Sequence, residues 1–493
     1  MNFASVVRIL IAGERWFFLA VIVYAPWAFG STPPWACEVL AKLMALLVGL
    51  WILESGLRRT WPKVEWPCLA LVALLLIQGW WMVLNSKAAF NPIASQLSLV
   101  ASVWPSAPGS IERGLSFASM ERFTGLLLIA CYVSDLAQRP IWRTRLWWTI
   151  GMTGTSIILF GLIERVARAP MIFWEPGKVS ETFFATYFYH ANAGAYINLV
   201  LPLIVGLASL RPVSGRKSQL IRAFWMGAGL IALAGAFVNF SRGAQFTTVI
   251  IVLVLAIWQL RRSIRRSSSA RIRWPLYLGL AAIVLLPVGL LWQISTADRW
   301  AEIGKATADG RVFAARVTAR MIPDAGPLGF GPGTFRIGFP FYITPEEKLH
   351  APEAHGFWRY AHDDYLQTAA EWGWIGAVFW VAFFGGGLLL GLRTYLHSQG
   401  ILPTADRILL FTSLVALAGI ALHALVDFPL QIASLQLYTS VYLGFAWGSS
   451  QWIKPNQAHR SLELRLESAL DQPPSSQGRF HTRLPSSLPF GPP

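Results

Sequence analysis

Apolar runs of about 17 to 22 residues recur along this chain, close to the roughly 20 that an α-helix needs to cross a hydrocarbon core, and they leave few architectures open. Backbone inside lipid must satisfy its own hydrogen bonds, which only helices and closed barrels achieve. A barrel would instead show short segments of alternating polarity. Composition points the same way: 55% of residues are hydrophobic, 13% are charged, the mean hydropathy is +0.49 and 24 residues are Trp, whereas about a quarter of a soluble domain is charged. The expected fold class is all-α, a polytopic membrane bundle of about twelve helices. Spans are expected near residues 10–30, 35–54, 67–84, 122–137, 146–166, 191–210, 223–240, 245–260, 275–294, 373–392, 408–427 and 432–450.

Basic residues are retained on the cytoplasmic side of short loops. Arg8 and Arg15 precede the first span, Arg58, Arg59 and Lys63 follow the second, and Arg139, Arg143 and Arg145 follow the fourth. Arg211, Arg216, Lys217 and Arg222 follow the sixth, Arg261 through Arg273 the eighth, and Arg393 and Arg407 the tenth. This pattern puts both termini in the cytoplasm. The N-terminal stretch reads as a retained first helix, since Pro33-Pro34 and another span follow it and a small-residue cleavage site is missing. A membrane domain of residues 1–450 is expected, including a large, partly helical periplasmic loop at 295–372. Residues 451–493, rich in Ser, Pro, Gln and Arg, read as a disordered cytoplasmic tail. The net charge of +16 follows from the topological bias, so membrane lipids rather than nucleic acid are the expected partners. Cys37, Cys68 and Cys131 are odd in number, lack ligand spacing and read as inert core residues. The chain has no Walker motif, so ATP is not implied.

Two segments outside the cytoplasm are long enough to matter. In 85–121, Ile93, Leu97 and Val100 have a spacing that predicts a short interfacial helix. In 295–372, residues 309–322 read as an amphipathic helix with Val312, Phe313, Val317 and Met321 toward apolar surroundings and Arg316 and Arg320 on another face. The glycines of 326–335 then force a turn.

The chemistry gathers in Tyr360-Ala361-His362-Asp363-Asp364-Tyr365-Leu366-Gln367, closed by Glu371-Trp372-Gly373. Titratable groups at a membrane boundary cost desolvation energy unless they have a partner or a task. Asp363 and Asp364 can cap a helix, whose positive end disfavours imidazolium and leaves His362 able to accept a proton. Arg242 lies at the extracytoplasmic junction of the seventh and eighth spans, against the charge bias. It reads either as a snorkelling side chain or as an anion clamp, because guanidinium matches phosphate oxygens and stays charged. Arg311 and Arg320 invite the same two readings. His350, His355 and His362 with Asp363 and Asp364 fit no familiar zinc or calcium spacing, so no metal and no cofactor is expected. His423 and Asp427, four apart, are expected to share a helix face and to pair, either structurally or in the chemistry.

These pieces together resemble the O-antigen ligase and O-antigen polymerase superfamily of polytopic bacterial glycosyltransferases. The likeness is carried by Phe240-Ser241-Arg242-Gly243-Ala244, Gly310-Arg311, the 327–335 turn, Ala361 to Gln367 with Glu371-Trp372-Gly373, Asp427-Phe428-Pro429-Leu430-Gln431, and the run Phe188 to Tyr196 leading into Leu199-Val200-Leu201-Pro202. One departure is visible: the family commonly has Asn after the loop histidine, where this chain has Asp363. A carboxylate there favours imidazolium and opposes the helix-end effect.

The resemblance implies a metal-independent, inverting transferase of the bacterial inner membrane. It would move a polyprenyl-diphosphate-linked glycan onto a glycan or lipid-core acceptor at the periplasmic face, within a polysaccharide assembly complex. In that reading Arg242 and Arg311 hold the donor diphosphate, His362 orients or deprotonates the acceptor hydroxyl, and Arg320, Asp363, Asp364 and Tyr365 are substrate-binding positions, with Asp363 or Asp364 setting the orientation of the histidine. The same likeness covers ligases, polymerases and protein O-oligosaccharyltransferases. A transporter or flippase for lipid-linked glycans is the competing class, but it would place polar residues near the midplane of interrupted helices.

Overall fold

The computed structural model describes residues 3–91, 93–94, 96–176, 183–210, 215–264 and 307–452. Its helices are α1 (Phe3–Trp27), α2 (Pro34–Arg58), α3 (Trp66–Leu84), α4 (Arg113–Leu136), α5 (Pro140–Val166), α6 (His190–Ala208), α7 (Arg216–Val238) and α8 (Arg242–Ile264). After these come α9 (Thr307–Ala325), two short helices α10 (Phe335–Gly338) and α11 (Pro345–His350), and then α12 (Asp364–His397), α13 (Thr404–His423) and α14 (Ala433–Gly448). Among the described residues, nine helices are long and apolar enough to cross a membrane: α2 to α8, α12 and α13. The helix α14 occupies the expected twelfth position but has only 16 residues. The expected span 275–294 and nearly all of the tail lie outside the described residues.

Proline at the first or second helical position opens α2, α3 and α5, where its missing N–H costs nothing. Burial separates central from peripheral helices. In α6, 89% of the most apolar stretch is buried, against 22% in α12, and every residue of α14 is buried. Two central helices thus meet protein on all sides while the others offer one face to lipid. They are joined through tyrosines: the Tyr196 hydroxyl donates to that of Tyr438 at 3.2 Å, and the Tyr442 hydroxyl donates to the Leu199 carbonyl at 2.9 Å.

Chain ends alternate between the two ends of the bundle. At one end Ser110 N–H, just before α4, bonds to Met82 O of α3, and Asp364 N–H, at the start of α12, bonds to Ala424 O after α13. At the other end the Gln138 side chain reaches Gly448 O at 3.0 Å, and Arg143 holds Asp406 in a two-pronged pair at 3.1 and 2.6 Å. Arg58, Arg139, Arg143 and Arg407 gather at this second end.

Strand β1 (Ala88–Asn91) pairs antiparallel with β2 (Gln96–Leu99) where the interfacial helix is expected. Local bonding overrides the helical spacing of Ile93, Leu97 and Val100. The Asn91 side chain accepts the N–H groups of Ile93 and Ala94 and closes a turn, and Glu112 accepts Phe90 N–H.

The helix α12 breaks at Gly373 (φ 64°, ψ −178°), and the freed backbone pairs with the glycine-rich turn. Phe330 and Gly331 donate to the carbonyls of Ala370 and Glu371 at 3.0 and 2.9 Å, while Ile375 N–H donates to Pro327 O at 3.2 Å. The Glu371 carboxylate accepts from Gly333 and Phe335 N–H at 2.9 and 3.1 Å and from the Gln367 amide at 3.1 Å. Its acceptors are occupied by the fold. At Gly329 φ is +84°, and a Cβ would overlap the Glu371 carbonyl. Gly329→Ala is therefore expected to cost at least about 1–3 kcal/mol from backbone strain alone, read as a lower melting temperature in detergent. Gly326→Ala, also at positive φ but with open space around it, should be milder.

Candidate active site

Three side chains from distant parts of the chain meet at the end of the bundle where α12 begins. Asp427 lies in the turn after α13 and is 2% exposed. Its Oδ2 is 3.0 Å from Nη2 of Arg311, on α9, and its Oδ1 is 3.4 Å from Nδ1 of His362. The same Nη2 donates to the Tyr189 hydroxyl at 3.1 Å. One buried carboxylate thus sits beneath a guanidinium and an imidazole that are 38% and 20% exposed.

Each element is placed by local chemistry. The helix α9 buries Phe313, Val317 and Met321, as its periodicity predicts, against Phe335, Phe339 and Ala370, whereas Val312 is exposed. Asp363 caps α12 by accepting Tyr365 and Leu366 N–H at 2.9 and 3.0 Å. Asparagine can make the same cap, so the departure at this position leaves the cap chemistry intact. His362 sits in the left-handed region at φ 55°, a conformation that costs a non-glycine residue about 1–3 kcal/mol and is found most often at functional positions. Its ring meets Phe428 edge-on at 4.8 Å and Trp358 at 5.9 Å, and Phe428 is stacked between Tyr189 and Tyr360.

Asp364, 2% exposed, accepts Leu430 N–H and the Gln431 amide at 2.8 and 2.9 Å. It ties the His362 loop to the Asp427 turn. The carboxylate brought to Nδ1 of His362 is Asp427, at 3.4 Å, while one oxygen of Asp363 and both of Asp364 accept backbone and amide donors. The expected His423–Asp427 pair does not form along one helix face: α13 ends at His423, and Asp427 turns toward Arg311. His423 is fully buried, and neither ring nitrogen has a hydrogen-bond partner among the described residues.

Arg242 opens α8. Beside it, a Cβ on Gly243 would stand 3.3 Å from Val426 and 3.6 Å from the His423 ring, so the start of α8 borders the turn that carries Asp427. The Asn239 amide donates to His190 O at 2.8 Å and fixes the same junction against the start of α6, next to Tyr189. Tyr365 donates its hydroxyl to Ala421 O at 2.8 Å. Arg320 stands apart from the cluster: its Nη2 reaches both oxygens of Glu347 at 2.8 and 2.6 Å. With its guanidinium engaged in a partly exposed pair, Arg320→Gln is expected to cost no more than about 1 kcal/mol of stability and to leave transfer within about twofold of wild type in the reconstituted assay described below.

Burial alone would raise the Asp427 carboxyl, but His362, Arg311 and His423 outweigh it and hold it below its ordinary value. Burial works to lower Arg311, yet Asp427 and Tyr189 overcome it and leave it above the usual arginine value. Burial raises Asp363, against the two capping N–H groups. Nη2 of Arg311 makes its bonds to Asp427 and Tyr189, while Nδ1 of His362, 3.4 Å from Asp427, has no hydrogen-bond partner among the described residues. The cluster thus offers a partly exposed guanidinium and a partly exposed imidazole, groups suited to an anion and to a proton. No three His, Cys, Asp or Glu side chains among the described residues converge on a point that could hold a metal ion.

Next to the cluster lies a mainly apolar cavity of about 510 Å³ between α4, α12 and α14. Leu126, Trp380, Phe384 and Leu443 are among its walls, and Asp364, Thr368 and Gln431 are among its polar lining residues. It has no local sequence signal, because its walls come from spans that periodicity alone cannot pair. Asp427 was visible in the sequence, but its pairing with Arg311 and His362 joins residues 116 and 65 positions apart and has no local signal.

Residues 227–381 match a family model described as O-antigen ligase. The matched segment contains Arg242, Arg311 and His362 and ends before Asp427. No curated protein matches the chain.

Proposed function

We propose, on the premise that this chain belongs to the O-antigen ligase superfamily, that it transfers a polyprenyl-diphosphate-linked oligo- or polysaccharide to a glycan or lipid-core acceptor. The carrying observation is the shared buried carboxylate: Asp427 stands 3.0 Å from Arg311 and 3.4 Å from His362, both partly exposed. In this reading the acceptor hydroxyl attacks the anomeric carbon, the bond from that carbon to the diphosphate oxygen breaks, and the diphosphate leaves with the electron pair. Nε2 of His362 takes the hydroxyl proton. Arg311, with Arg242 at the neighbouring helix start, stabilises the charge on the departing diphosphate. The apolar cavity supports a lipid-linked donor, since its volume lies within the roughly 300–1,000 Å³ of small-molecule pockets and its lining includes Asp364 and Gln431, which tie the His362 loop to the Asp427 turn.

Residues 1–450 would act as one membrane unit, with the 295–372 loop supplying Arg311 and His362. The gathering of basic residues at the opposite end supports the extracytoplasmic face of a bacterial inner membrane as the location of the site. Charge gathered at the ends of the bundle rather than at the midplane favours transfer over transport. The test is reconstitution with a polyprenyl-diphosphate-linked glycan and candidate acceptors. Arg311→Ala is expected to lower the transfer rate about 10²- to 10³-fold, the usual loss for one donor to a developing anion. Arg311→Lys should recover little, because a lysine lacks the fork. Transfer by Arg311→Ala at the wild-type rate would remove this reading. The ratio of polymerised to ligated product assigns the acceptor class.

A further inference from the structure

A second charged cluster lies at the opposite end of the bundle from His362. One oxygen of Glu54, at the end of α2, is shared by three guanidinium groups: Arg58 at 2.7 Å, Arg15 at 3.2 Å and Arg139 at 3.9 Å. A single carboxylate can neutralise only one of them. Nearby Asp135 accepts the Lys63 backbone N–H and the Trp51 indole N–H. Four cations (Arg15, Arg58, Lys63, Arg139) against two carboxylates (Glu54, Asp135) leave a formal surplus of two positive charges. The surplus is still one if the buried Glu14, neither of whose oxygens is hydrogen-bonded, is ionised.

This surplus borders a cleft of about 240 Å³ whose walls include Arg58, Arg139, Lys63, Thr60, Ser55 and Trp61. Arg58 and Arg139 are about one-third exposed, so each has guanidinium surface left for a ligand. Hydroxyl groups beside a cationic surplus suit the oxygens of a phosphate. Trp61 and Trp66 at the same end are 94% and 75% exposed. Exposed tryptophans at a helix connection match the headgroup level of a bilayer, where an indole is half in lipid and half in water. The cleft is separated from the His362 end by the full 24 residues of α4, about 36 Å at 1.5 Å per residue.

We propose that this cleft binds the phosphate of an anionic phospholipid headgroup, with Arg58, Arg139 and Lys63 as its cationic contacts. The two tryptophans favour a lipid over free phosphate as the source of that group. The proposal does not depend on the transfer reaction.

Native mass spectrometry of the full chain in detergent, titrated separately with phosphatidylglycerol, phosphatidylcholine and inorganic phosphate, tests it. Phosphatidylglycerol should bind at least tenfold more tightly than phosphatidylcholine. The double variant Arg58→Gln/Arg139→Gln should weaken that binding roughly 30-fold, as expected for two charges near a bilayer surface. Because Arg58 and Arg139 also contact Glu54, Lys63→Gln serves as a second variant that leaves those pairs intact, and it should weaken binding about fivefold. Equal binding of the two lipids would overturn the proposal, as would undiminished phosphatidylglycerol binding by Lys63→Gln. Tight binding of inorganic phosphate with no lipid preference would assign the cleft to a soluble anion instead and overturn the lipid assignment.

Discussion

His362→Ala is expected to reduce glycan transfer about 10²- to 10⁴-fold, the range attributed to a positioned general base, without unfolding the protein. The ring is one-fifth exposed and borders Asp427, Phe428, Trp358 and Tyr189, so its removal opens a space that reaches solvent rather than a closed void. Alanine also relieves none of the backbone strain at φ 55°, so the melting temperature should move by only a few degrees. His362→Gln separates two roles. Glutamine can hydrogen-bond a hydroxyl but cannot take its proton at neutral pH. If His362 only orients the acceptor, glutamine should restore much of the rate; if it accepts the proton, glutamine should be nearly as poor as alanine. A rate for the alanine variant within threefold of wild type would eliminate His362 from the chemistry.

Asp427→Asn is expected to be about as damaging, lowering transfer roughly 10³- to 10⁴-fold. In serine proteases, replacing the carboxylate that orients the catalytic histidine by its amide costs about 10⁴ in turnover. Here the same oxygen pair also holds Arg311, so one substitution disturbs both groups. Folding should suffer less, by about 1–3 kcal/mol, the worth of hydrogen bonds to a charged group. The pH dependence follows from the direction of the Asp427 shift. A carboxyl held below its ordinary value contributes stability that is complete above the unfolded value of about 3.9 and is lost as pH falls through the folded value. Wild-type melting temperature should therefore keep this contribution down to about pH 4 and lose it below. Asp427→Asn should start lower at neutral pH and lack that component of the acid slope. Parallel acid slopes for the two proteins would contradict the assignment of the shift to Asp427.

Much of the architecture was legible because lipid imposes a length and a polarity on each crossing. Among the described residues the long apolar runs are helices close to where they are expected, and Arg58, Arg139, Arg143 and Arg407 gather at one end. Likewise, the 309–322 helix follows from periodicity, since Phe313, Val317 and Met321 face one core. The pairing of β1 with β2 was not legible, because three apolar residues at helical spacing are a weaker determinant than an Asn91 side chain that captures two backbone N–H groups. Within the site, His362 and Arg311 drew attention as charges at an apolar boundary, where an idle charge is costly. Asp363 and Asp364 lie nearest to His362 in sequence; the start of a helix engages one oxygen of the first and the Leu430–Gln431 turn both oxygens of the second. The carboxylate shared with Arg311 is Asp427, which only the three-dimensional closure of the chain delivers. Arg320 was drawn in by its spacing from Arg316 and Arg311, a pattern that does not reveal that Glu347 lies opposite.

The latch made by Asp364 has a consequence for what counts as a portable unit of this protein. Its N–H and both carboxylate oxygens bind residues 424–431, so the loop that presents His362 takes its shape from sequence that follows it by some sixty positions. Residues 227–381, transplanted into another membrane protein or expressed as a fragment, would bring along the histidine and its arginines but neither the latch nor the buried carboxylate. Recombination could therefore exchange donor or acceptor preferences through the outer loops while inheriting the reactive centre only as a whole. Chimeras with a junction between residues 381 and 424 should be inactive unless both parents present the same closing turn.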